Sequence, residues 1–166
     1  MSNVFSNRYP MSETQLGFYY AWLRNPDSTE YNVPYLYKFS KNIDADKLED
    51  SFRKALALHP IYSVKILHED GDIFIAPEKD RWFDIERLTA SEDQLNDIYK
   101  AFVRPFDLRN EQLIHASIIE TEESVVLLFD TFHMVSDGNT LVMFFKDTYE
   151  IISCHQSQLC AFLGKV

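Results

Sequence analysis

At 166 residues the chain can form one domain with a sizeable core, or one lobe of a larger protein. Apolar residues make up 46% and charged residues 25%, with four glycines and six prolines, a globular composition that argues against disorder. The formal net charge of −10 leaves no basic face for phosphates, which argues against nucleic acid as a partner.

Residues 1–10 are polar and lack the apolar core of a leader peptide. No apolar run approaches the roughly 20 residues needed to cross a bilayer, so a soluble cytoplasmic protein is expected. Ser12 followed by Gln15 reads as a capping box opening a first helix. That helix carries Leu16, Tyr19, Tyr20 and Leu23 on one face and ends near Asn25-Pro26. Residues 33–40 read as a strand, and Tyr31, Tyr35 and Tyr37 form an aromatic stripe that suits packing. Asp44 caps a second helix with Leu48, Phe52, Ala55 and Leu56 as its apolar set, stopped by His59-Pro60.

Residues 61–68 and 73–76 suit a hairpin around Asp70-Gly71, and 82–88 an edge strand. Ser91, with Gln94 three positions on, opens a third helix running to about Val103. Residues 113–120 and 124–132 form a second hairpin with a solvated acidic tip at Glu120, Glu122 and Glu123. A last helix is expected over 138–152. Residues 153–166 read as a tail or truncation edge. They hold both cysteines, Cys154 and Cys160, whose spacing fits neither a zinc pattern nor a disulfide framework. His68 and His155 have no obvious partners. The order α-β-α-β-β-(β)-α-β-β-α argues for an α/β (α+β) fold, a mixed sheet covered by helices.

The apolar run over 125–132 is broken only by Asp130 and Thr131. A buried strand there delivers His133 to a loop that also holds Ser136 and Asp137. Strand ends facing helix starts often carry polar chemistry in such folds, and imidazole is the side chain suited to proton transfer near neutral pH. On spacing alone the same pair also reads as an ordinary polar loop with Asp137 capping the next helix. Two candidate ligands without a third make no metal site.

The segment Phe-Asp-Thr-Phe-His-Met-Val-Ser-Asp-Gly over 129–138 resembles the core motif His-His-x-x-x-Asp-Gly of nonribosomal peptide synthetase condensation domains. Phe132 stands in the first histidine position; His133, Asp137 and Gly138 match the rest. Residues 11–20 resemble the family's opening Ser-x-x-Gln helix, and Pro-Phe-Asp-Leu over 105–108 resembles the turn before the strand that pairs with the motif strand. Of the family's Arg-His-x-x-Leu-Arg-Thr signature only His59 is clear, within 57–66. His115 replaces a usual arginine.

The resemblance implies a chloramphenicol-acetyltransferase-like two-layer sandwich, with residues 1–152 as the N-terminal lobe of a two-lobed domain. The family's site lies in a tunnel between the lobes, where acyl and peptidyl carrier proteins deliver thioesters on phosphopantetheine arms. No cofactor is bound directly. By resemblance His133 is the catalytic group, a general base or an orienting partner for the attacking amine. Asp137 is structural, pairing with an arginine, Gly138 leaves room for the arm, and Phe132 removes a buried hydrogen-bonding group. Family domains are much longer than this chain, so a lobe that needs its C-terminal counterpart and is inactive alone is expected. Two alternatives are a compact oligomeric acyltransferase with a second subunit completing its site, and a non-catalytic docking module for a carrier protein.

Overall fold

The computed structural model of the chain describes residues 8–78 and 83–155. Its first helix, α1 (Glu13–Arg24), starts at the expected capping box: Ser12 Oγ accepts from the Gln15 backbone N–H, and Gln15 Oε1 accepts from that of Ser12. The buried face differs from the expected one. Tyr19 and Trp22 are buried, whereas Tyr20 is 53% and Leu23 39% exposed. The reason lies in two polar handles. The Trp22 indole N–H donates to the Phe106 carbonyl at 2.8 Å, and the Tyr19 hydroxyl meets His68 Nε2 at 2.8 Å. Buried Tyr and Trp need such partners, and meeting them turns the helix by about one residue. His68, expected to be without a partner, therefore has one.

Asp44 Oδ1 accepts from the N–H groups of Asp46 and Lys47 and opens α2 (Ala45–Leu58), which buries Leu48, Phe52, Ala55 and Leu56 as its pattern requires. Pro60 stops the helix but first makes a 3₁₀ turn, Pro60–Tyr62, which delays the next strand to Val64. Strands β3 (Val64–Glu69) and β4 (Asp72–Pro77) form the expected hairpin. Asp70 (φ 52°) and Gly71 (φ 91°) are both left-handed, as a two-residue primed turn demands. A two-residue strand, β1 (Tyr9–Pro10), pairs with β4 and was too short to show as a pattern.

The second sheet has the order β2-β7-β6-β5, with β2 (Asn32–Ser40), β5 (Ile85–Thr89), β6 (Ile114–Glu120) and β7 (Ser124–Phe132). Among the described residues only the β5–β6 pair is parallel, so the sheet is mixed. Strand β7 is central and every one of its residues is buried. One face packs Val125, Leu127 and Phe129 against α2 and α4 (Gly138–His155); the other packs Val126, Leu128 and Ile119 under α3 (Leu95–Phe102). Tyr35 and Tyr37 stack on Phe129 and lean on Phe145, the packing role expected of that stripe. At the β6–β7 turn Glu122 and Glu123 are exposed, while Glu120 reaches Arg87 at 3.1 Å. Ser91 makes its capping box over a 3₁₀ turn, Glu92–Gln94, ahead of α3. Helix α4 continues past residue 152 to His155, three residues into the expected tail; Trp82 and Cys160 lie outside the described residues.

Candidate functional site

His133 is the first residue after β7 and is exposed, whereas Met134, Val135 and Ser136 of the same turn are buried. The turn is anchored from below. Thr131 Oγ1 and Ser136 Oγ lie 2.5 Å apart, and the Val135 N–H donates to the Phe132 carbonyl at 3.0 Å. It is also anchored from the side. The His133 N–H donates to the Tyr31 carbonyl at 2.9 Å, and Gln15 Nε2 donates to the Met134 carbonyl at 3.4 Å. The imidazole stacks on Phe18 of α1, with ring centroids 5.0 Å apart and planes 19° apart. Phe18 rests edge-on against Tyr31 at 5.2 Å, and Tyr31 against Phe132 at 6.3 Å. One face of the imidazole is thus covered, and its edge is presented outward from a turn that cannot easily shift.

Asp137 caps α4: its Oδ1 accepts from the Thr140 N–H and the Thr140 hydroxyl, each at 2.7 Å. The Thr140 N–H, then its hydroxyl, hold the Asp137 carboxyl below the usual range, with smaller help from the Asn139 N–H and His133. No arginine meets Asp137 among the described residues. Ser63 follows His59 by four residues, where the family signature reads its second arginine. Gly138 opens α4, and a Cβ built there would meet no atom within 4 Å, so nothing in this chain's packing calls for glycine. Phe132 is 2% exposed and packs edge-on against Phe106. His59 Nε2 meets Asp147 Oδ2 at 2.8 Å and ties the end of α2 to α4.

Sequence reasoning missed the residues that hold His133: Phe18, Tyr31 and Gln15 as a bridge to the loop. It also passed over Asp130. That carboxyl has no exposed surface, and burial pushes it up to about 7 despite hydrogen bonds from Asn32 Nδ2, 2.5 Å away, and from backbone N–H groups. Directly opposite on β6 stands His115, 8% exposed and stacked on Phe106 at 4.0 Å. Arg104 Nη1 donates to His115 Nε2 at 2.9 Å, and burial lowers the imidazole's proton affinity. The signal available beforehand was the break that Asp130 makes in an apolar strand.

The sequence model described as the Condensation domain matches residues 5–159. The chain belongs to the condensation-domain family. Surfactin synthase subunit 2 of Bacillus subtilis (strain 168) is 28% identical over 148 residues, which cover 89% of this chain and 4% of that protein. The solved starter condensation domain of rhizomide synthetase superposes with a TM-score of 0.81 at 15% identity, over 94% of this chain and 40% of that one. The X-domain from teicoplanin biosynthesis superposes with a TM-score of 0.79 at 15% identity, over 94% and 34%. The chain therefore spans a small fraction of its curated relative and about two fifths of a solved condensation domain, and it shares their chloramphenicol-acetyltransferase-like fold. Among the described residues no helix is long and apolar enough to cross a membrane, and no group of three or more His, Cys, Asp or Glu could hold a metal ion.

Proposed function

We propose that the chain is the N-terminal lobe of a condensation domain that joins carrier-bound acyl and aminoacyl thioesters through an amide bond. The observation that carries this reading is the presentation of His133. It is an exposed imidazole on an anchored turn at the end of a buried strand, stacked on Phe18 and followed by a capped helix with open space before Gly138. In the reaction the acceptor amine attacks the donor thioester carbonyl. A C–N bond forms, the C–S bond breaks, and the amine proton ends on the departing thiol. The exposed edge of His133 takes or orients that proton, a service worth about 10²–10⁴-fold. A mutant of the rhizomide starter condensation domain is described in complex with C8-CoA and Leu-SNAC, a thioester pair of the kind this reading assigns. The phosphopantetheine arms of carrier proteins bring the substrates, and a second lobe completes the tunnel.

One observation favours a second reading, docking of a carrier protein without chemistry: Asp137 is taken up by its own helix and meets no arginine among the described residues. A single experiment separates the two. Wild type and His133→Ala, each with a second lobe present, are given a carrier-bound donor and acceptor. A fall of about 10²-fold or more in amide formation supports the catalytic reading. Equal rates overturn it, and carrier binding without product in either protein supports the docking reading.

A further inference from the structure

Below the His133 turn lies a second group of polar side chains, on the α3 face of the sheet. Asn32, the first residue of β2, donates through Nδ2 to Asp130 Oδ2 at 2.5 Å and to the Arg104 carbonyl at 2.9 Å. Its neighbour Tyr31 supplies the carbonyl that holds the His133 N–H. Asp130 stands three residues before His133 on β7. The ends of two paired strands, each bearing one side of the site, are thus tied by a partly buried side-chain contact in addition to their backbone ladder. The tie is under-satisfied. Asp130 Oδ1, Asn32 Oδ1 and His115 Nδ1 are all buried, and none has a hydrogen-bond partner. Such groups in a low-dielectric setting respond strongly to a change of charge.

We propose that Asp130 is a positioning residue of the site: with Asn32 it sets the ends of β2 and β7 that carry Tyr31 and His133, and gain or loss of its proton moves them. The positioning of His133 for chemistry rests on the condensation reading; the mechanical link does not.

The surroundings of Asp130 are set by every element around it. From β2 it meets Asn32, and from β6 it faces His115, whose Nε2 accepts from Arg104 and lies 3.0 Å from Glu111. From α3 this face receives Leu95, Ile98, Tyr99 and Phe102. Arg104 is the cation that acts on Asp130, and it does so only weakly. Burial outweighs all of these, so the carboxyl takes up its proton close to neutral pH. A neutral-pH transition in the site would then belong to an aspartate beneath it, separately from the imidazole on its surface.

The test is an NMR titration of this chain from pH 4 to 9, reading Asp130 Cγ and the amides of residues 31 and 133. It is done in a His133→Gln, His115→Gln background so that neither imidazole titrates. The expected result is a midpoint near 7 at Asp130, followed by both amides with the same midpoint, and flat amide curves in Asp130→Asn. A second variant, His115→Arg, keeps the carboxyl and sets a permanent cation opposite it. It should lower both midpoints together by about 1–3 pH units. An Asp130 midpoint in the ordinary carboxylate range, or amides that ignore it, overturns the proposal. Neither outcome depends on amide-forming activity, so this test and that of His133→Ala fail independently.

Discussion

Strand β7 meets a carboxyl near each end, and the protein treats the two in opposite ways. At the start, Glu92 accepts from the Lys38 ammonium and then from the hydroxyls of Ser124 and Thr121, and these contacts hold it down to about 2. Near the finish, Asp130 has an amide and backbone N–H groups but no cation in contact, and burial lifts it to about 7. The sheet and the strand are the same. What differs is the balance at each group: Asp130 has no exposed surface and burial outweighs its hydrogen bonds, whereas Glu92 is partly exposed and its donors, the Lys38 ammonium first, outweigh burial. The satisfied end anchors a turn; the unsatisfied end lies under the candidate site.

The largest effect is expected from breaking what joins the two ends. Phe129→Ala removes a fully buried ring from the middle of β7 and should cost about 3–5 kcal/mol in chemical denaturation. Next comes pH. Asp130 sits above its unfolded value of 3.8, so its contribution is fully present below that value and is lost as pH rises to about 7. Measured against Asp130→Asn, the wild type should lose on the order of 2–4 kcal/mol of relative stability between pH 4 and 8, then change no further. Glu92 runs the other way. Its contribution is present above 4.5 and lost as pH falls toward about 2. Glu92→Gln should therefore cost about 1–2 kcal/mol at pH 7 and progressively less as the pH drops below 4.5. Smallest is Phe18→Leu, at about 0.5–1.5 kcal/mol. It should remove the ring-current shift of the His133 ring protons in proton NMR while leaving the sheet intact.

Much of the architecture was legible because local signals agreed. The capping boxes at Ser12 and Ser91, the Asp70-Gly71 turn and the apolar run into His133 each act within a few residues. Features that failed to show depend on distant partners. The phase of α1 follows from Phe106 and His68, which receive Trp22 and Tyr19. The meaning of Asp130 follows from Asn32, 98 positions away, and from His115 across the strand pair. Spacing alone left His133 and Asp137 as a polar loop, and only the resemblance of four separated segments turned that loop into a site. Phe18 lay inside one of those segments, yet its stacking on His133 needs α1 and β7 to be adjacent, which no local pattern states.

Gln15 does two jobs with one amide. Its oxygen closes the capping box at the start of α1, and its nitrogen reaches the Met134 carbonyl in the His133 turn. The helix start and the turn therefore share one side chain, while each keeps further hydrogen bonds of its own. Gln15→Ala should therefore speed amide exchange both at Ser12 and in the 133–135 turn, although the two segments are more than a hundred residues apart in the chain.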